Sequence, residues 1–150
     1  MRISRTLFGF LVATCVSPTF AQTNVGQLLD NGAMKLSPAD FKEQIVGRYL
    51  TGPGRAGSGN LEVVYLEGGL IRGSGNQSPF GGALGGGSGY VIEGTWATDE
   101  RDRICQTMRT GSVVLAPRCQ YWFRQADKYF YADSDSDRSA LVTIRTVKKP

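Results

Sequence analysis

The 150-residue chain contains no histidine. That absence excludes a Ser-His-Asp triad, a Cys-His nucleophile and any metal site built on imidazole. Cysteine is scarce, at three residues, and none stands in a C-x-x-C pair of the kind that redox catalysis uses. Excess charge is small as well: 17 basic against 13 acidic residues give +4. Without Arg2 and Arg5, which lie in a leader-like segment, 15 against 13 leaves +2. So small an excess makes no nucleic-acid footprint. The longest apolar run, Leu7 to Val16, covers about half the length of a bilayer-spanning helix, so no membrane span is expected. Serine-nucleophile motifs of the S-x-x-K and G-x-S-x-G types are missing. The glycine-rich segments lack the Lys-Ser/Thr of a phosphate loop and do not follow the Rossmann pattern. With 41% hydrophobic and 20% charged residues, the length fits one globular domain.

The chain opens as an exported protein does. Arg2 and Arg5 precede the apolar run, and Ser17-Pro18-Thr19-Phe20-Ala21 then leads to a polar Gln22. Small residues at Thr19 and Ala21 suit the signal peptidase, so residues 1–21 read as a signal peptide cleaved after Ala21. Lipidation at Cys15, preceded by Val12-Ala13-Thr14, is the alternative. Loss of Cys15 with the leader leaves Cys105 and Cys119 as an even pair in an oxidising compartment, where a disulfide between them is expected. Two reduced, buried thiols are the other possibility.

Residues 22–46 read as a helical segment. Asn24 caps a short turn that Asn31-Gly32 ends, and Ser37-Pro38-Ala39-Asp40 starts a second helix with serine at the cap and proline at the first helical place. Phe41 and Ile45 form its apolar stripe, which suits a helix covering one end of a sheet. Residues 47–150 read as a β-rich domain. Candidate strands are Arg48 to Thr51, Leu61 to Glu67, Leu70 to Gly73, Tyr90 to Ala97, Ile104 to Arg109, Cys119 to Arg124, Tyr129 to Ala132 and Leu141 to Val147. Gly68-Gly69 signals a two-residue hairpin. Few residues remain for crossovers, so the fold class is mainly β: an antiparallel meander closing as a small barrel or folding as a sandwich, behind one or two short N-terminal helices.

Period-two alternation puts Tyr90, Ile92, Gly94 and Trp96 on one face, with Trp96 as a core anchor or a ligand-lining ring. The same alternation groups Cys119, Tyr121 and Phe123 as the inward set and turns Trp122 outward. Gly73 to Gly89 holds eight of the 20 glycines and reads as a loop whose Phe80 and Leu84 either tether it or guard a barrel mouth. Asp133-Ser134-Asp135-Ser136-Asp137 opens like a calcium loop but has Arg138 and Ile144 where such a loop needs glycine and glutamate, so an acidic turn is expected. Arg101, Arg103, Arg109, Arg118 and Arg124 flank the cysteine pair, either converging on an anion or dispersed over the surface.

The order Gly94-Thr95-Trp96, Ile104-Cys105, Arg118-Cys119, Lys128-Tyr129-Phe130-Tyr131 resembles the C-terminal half of small exported proteobacterial proteins of unknown function. The likeness spans residues 36–147 and implies a periplasmic β-rich domain with one disulfide, without activity or catalytic residues to carry over. Gly94-x-Trp96 is also similar to an element of lipocalin-like barrels, which place it in the first strand rather than mid-chain.

The expectation is a non-enzymatic periplasmic or secreted module, monomeric, that binds a small apolar or amphipathic ligand or an envelope protein. Trp96, Tyr121 and Phe123 would line its interior. Catalytic residues, cofactors and metal ligands are not assigned. The alternative is a secreted inhibitor of an envelope-active hydrolase such as lysozyme.

Overall fold

The computed structural model describes residues 24–53, 59–77 and 88–148. The leader, Cys15, Phe80 and Leu84 lie outside them. Helix α1 (Val25–Asp30) is followed by β1 (Met34–Lys35), α2 (Pro38–Gln44), β2 (Tyr49–Pro53), β3 (Asn60–Leu66), β4 (Leu70–Gln77), β5 (Ser88–Thr98) and β6 (Ile104–Thr110). Strands β7 (Val113–Val114), β8 (Arg118–Gln125), β9 (Lys128–Ala132) and β10 (Thr143–Val147) complete the order.

Both helices begin where local chemistry directs. The Asn24 side chain accepts a hydrogen bond from the Gln27 amide at 2.9 Å, and Gly32 leaves α1 at φ +80°. At α2 the Asp40 amide donates to Ser37 Oγ at 3.1 Å, while the Ser37 amide donates back to the Asp40 carboxylate at 3.0 Å. This reciprocal box satisfies two of the donors that a helix start otherwise leaves without acceptors.

All strand pairings are antiparallel, and β2 to β6 follow one another as neighbours. Strands β8, β9 and β10 continue the run, with β10 against β2 and β8 against β6. Eight strands therefore close into a barrel, which decides between barrel and sandwich. The closing β6–β8 seam is only three pairs long: Ile104 with Gln120, Cys105 with Cys119, and Gln106 with Arg118. Beyond it β6 pairs with β7 and β8 pairs with β1. The Cys105–Cys119 disulfide sits in the middle of that seam.

Helix α2 plugs one end. Phe41 and Ile45 are fully buried, and the Phe41 ring lies 5.2 Å from Tyr65, 5.3 Å from Trp96 and 5.2 Å from Trp122. Offset and edge-on ring contacts of this kind add to simple burial. A second apolar layer forms outside the barrel, where Val25 and Leu28 of α1 cover Phe123, Phe130 and Ala132 on the outer face of β8 and β9.

Three strand-level expectations are corrected. Trp122 faces inward and is 2% exposed, whereas Cys119, Tyr121 and Phe123 point out. The alternation was read with the wrong phase because α1 makes the outer face of β8 apolar too, so hydrophobicity could not mark which face was inside. The glycine-rich loop is shorter than residues 73–89, since β4 runs to Gln77 and β5 starts at Ser88. Glycine belongs in this ladder: a Cβ at Gly75 would stand 2.4 Å from the Tyr90 ring that covers it. The hairpin spans Glu67 to Gly69, with Leu66 opposite Leu70 and both glycines at positive φ, +80° and +82°. In addition, β1 lies inside the segment read as purely helical. Among the described residues, no helix is long and apolar enough to cross a membrane.

Two outcomes follow for stability. Replacing both cysteines by alanine removes a covalent tie across 14 residues, and chain entropy sets its worth at about 3 kcal/mol. Urea unfolding should show that loss, with faster amide exchange at residues 104–106 and 118–120 than in the β3–β4 hairpin. Three carboxylates lie below their ordinary 3.8: Asp40 through the Ser37 hydroxyl, Asp99 through Arg103 and Asp137 through Ser139. Depressed acids stabilise the folded state fully above their unfolded value, and that contribution is lost as pH falls through the lower folded one. Unfolding free energy should hence decline below about pH 4, and less steeply in Asp40→Asn than in the parent.

Candidate functional site

The end of the barrel opposite α2 is hollow. Its cavity of about 420 Å³ is walled by Leu61 and Val63 of β3, Tyr90 and Ile92 of β5, and Met108 of β6, with Leu115 and Leu141 beside it. Eight-stranded barrels are just wide enough either to be filled by side chains or to hold one small ligand. This one does both, at opposite ends.

Polar groups enter the cavity in two sets. The first is a hydrogen-bonded chain across the interior. The Tyr65 hydroxyl donates to Gln106 Oε1 at 2.8 Å, Gln106 Nε2 to Gln120 Oε1 at 2.9 Å, and Gln120 Nε2 to Asp133 Oδ1 at 3.1 Å. Arg118 holds the other Asp133 oxygen at 3.3 Å. Every donor in the chain points toward the carboxylate at its end, and each glutamine has its carbonyl and one amide N–H paired within the protein. Burial pushes the Tyr65 hydroxyl well above the usual phenol range, and it stays protonated.

The second set is Arg145, which is 5% exposed. Its Nη1 donates to the carbonyls of Pro53 at 3.0 Å and Ile144 at 2.9 Å, and its Nη2 donates to the Tyr131 hydroxyl at 2.8 Å. The guanidinium lies 5.1 Å from the centre of the Tyr131 ring. Gly52 leaves room for it, because a Cβ there would stand 2.7 Å from Nη1. None of the described carboxylates pairs with it.

The residues expected to line a ligand site are not brought together. Trp96 is interior but belongs to the plug, where its Nε1 donates to the Leu66 carbonyl at 3.0 Å. Tyr121 lies on the outer face beneath Lys35, and Phe123 is buried under α1. None of the three borders the cavity. The five arginines near the disulfide do not converge: Arg103 pairs with Asp99, Arg109 with Glu93 and Arg118 with Asp133, Arg124 donates to Gln44 and to the Ala126 carbonyl, and Arg101 is exposed. In the acidic turn, Asp137 accepts from Ser139, Asp135 pairs with Lys35 and Asp133 belongs to the glutamine chain, so its carboxylates have partners of their own. The tightest group of metal-ligand types among the described residues is Asp99 with Cys105 and Cys119, whose sulfurs are already bonded to each other.

Reading along the chain missed Arg145, Tyr131, Gln106 and Gln120. Alternation in Thr143-Ile144-Arg145-Thr146-Val147 does place Arg145 with Val147, but only the barrel shows that this face is interior.

Gln106→Leu should expose the importance of the polar chain. It strands the Tyr65 hydroxyl and Gln120 Oε1, each a buried group, at a cost of about 1–3 kcal/mol. In a double-mutant cycle read by urea unfolding, Tyr65→Phe should cost less when added to Gln106→Leu than when made alone.

Compared with family models, with curated proteins and with solved structures, the chain has no match, and its functional reading rests on its own residues.

Proposed function

We propose that the protein is a non-enzymatic binding module of the periplasm or the exterior that takes one small amphipathic ligand into the open end of its barrel. The observation that carries this is the unequal filling of the interior: an aromatic plug at one end and about 420 Å³ of space at the other. Ligand sites commonly have about 300–1,000 Å³, mostly apolar walls and a few oriented polar groups. The walls here are aliphatic and aromatic, and the polar groups gather on one side.

The ionisable side chains around the space favour binding over bond chemistry. Asp133 is engaged by Gln120 and Arg118, and the others are tyrosines and arginines. A proton-transfer catalyst works best with a group poised near the operating pH. Export is part of the same proposal: removal of residues 1–21 would deliver the Cys105–Cys119 pair to an oxidising compartment.

Nile red, a neutral dye that brightens in apolar surroundings, tests the cavity. Saturable binding of one dye per chain is expected, and Met108→Trp, which fills the space, should abolish it without altering the circular dichroism. Native mass spectrometry of the protein purified gently from its own compartment should show added small-molecule mass. A bare chain that also fails to saturate with Nile red, or a complex with a second envelope protein, would overturn the proposal.

A further inference from the structure

We infer that the ligand is an anionic amphiphile whose single oxyanion head, a carboxylate or its equivalent, is received by Arg145 and Tyr131. This rests on the cavity reading above and adds the chemistry of the occupant. The argument begins with charge. A guanidinium keeps its proton under all ordinary conditions, and a buried cation is costly unless an anion stands beside it. Arg145 is 95% buried, borders the cavity and has no carboxylate partner among the described residues. Two carbonyls and one phenol oxygen satisfy three of its five N–H groups. The remaining N–H groups, one on Nε and one on Nη2, have no acceptor among the described residues.

Tyr131 strengthens the case. Its oxygen accepts from Arg145, so its own hydroxyl proton is left to be donated. Arg145 and Tyr131 together thus present donors without a competing acceptor, on the wall of a cavity that is otherwise lined by Leu61, Val63, Ile92 and Met108 among others. An oxyanion supplies the charge and lone pairs that this pair lacks, and charge-assisted hydrogen bonds are about twice as strong as neutral ones. A neutral hydroxyl head could use one donor but would leave the cation uncompensated, and a cationic head would be repelled.

Asp133 does not oppose this assignment. Its two oxygens are occupied by Gln120 and Arg118, and Arg118 balances its charge at the rim. The aliphatic side chains of Leu61, Val63, Ile92 and Met108 would then cover the apolar body of the ligand. Arg145 also has a position that depends on a missing side chain, since Gly52 in the neighbouring strand leaves the slot in which the guanidinium lies.

Isothermal titration with decanoate, decanol and decyltrimethylammonium, each below its micelle concentration, separates this inference from the cavity reading. The expected order is decanoate tighter than decanol by about tenfold or more, with the ammonium compound weakest. Arg145→Met should bring decanoate down to the level of decanol and leave decanol within about twofold. Tyr131→Phe, which removes one hydroxyl, should weaken decanoate about threefold to tenfold and decanol far less. Because Arg145→Met removes an uncompensated buried charge, the unliganded protein should unfold at the same temperature or higher, an outcome that a purely structural arginine would not give. Equal binding of decanoate and decanol, or Arg145→Met and Tyr131→Phe proteins that keep the preference for decanoate, would overturn the anion assignment alone. Failure of all three amphiphiles to bind would overturn the cavity reading with it.

Discussion

The structure depends on closing its sheet through three residue pairs. An open sheet of this size would leave two edges able to pair with other chains, and it would have no interior. The β6–β8 seam removes that problem with a ladder of only three pairs, between strands whose other halves are occupied by β7 and β1. A covalent bond stands at the middle of the seam. Small domains are stable by only about 5–15 kcal/mol, so a covalent tie across so short a seam has a large share in keeping the barrel shut.

Closure creates an interior that is then divided. Near α2, Phe41 packs against Tyr65, Trp96 and Trp122, and Tyr65 touches both tryptophans. Away from α2, the strands extend past the reach of the helix and the inward side chains become smaller or polar. The glutamine chain crosses this region over the seam itself, from Gln106 on β6 to Gln120 on β8. Covalent, ladder and side-chain links consequently tie the same two strands together. The cavity is bordered by this network, which ends on the Asp133 carboxylate, and by Arg145, which has no carboxylate partner among the described residues. The contrast between the two sets gives the hollow end its chemical direction: one polar set carries its own carboxylate, and the other has none.

Much of this architecture could be read from local signals. The caps at Asn24 and Ser37, the positive-φ glycines at Gly32, Gly68 and Gly69, and the count of barrel strands each depend on a few neighbouring residues. What failed to show was inside against outside. Strand β8 carries large apolar groups on both faces, because Trp122 serves the barrel core while Phe123 serves the layer under α1. A cysteine is no mark of the interior here, because the Cys105–Cys119 bond lies on the face of the seam opposite Gln106 and Gln120. The same uncertainty of phase hid the candidate site, since no periodic signal makes Arg145 differ from any exposed strand arginine.

Glycine illustrates the boundary between the two kinds of information. In the stretch from Gly73 to Gly89 its abundance suggested a loop, but part of that stretch is strand because Tyr90 covers Gly75 from across the ladder. Sequence alone determined the elements whose causes are short-ranged: caps, turns and strand spacing. The tertiary structure decided which face of each strand became interior, where the cavity lay and which buried arginine had no carboxylate beside it among the described residues. These depend on contacts between residues far apart in the chain, and such contacts exist only once the barrel has closed.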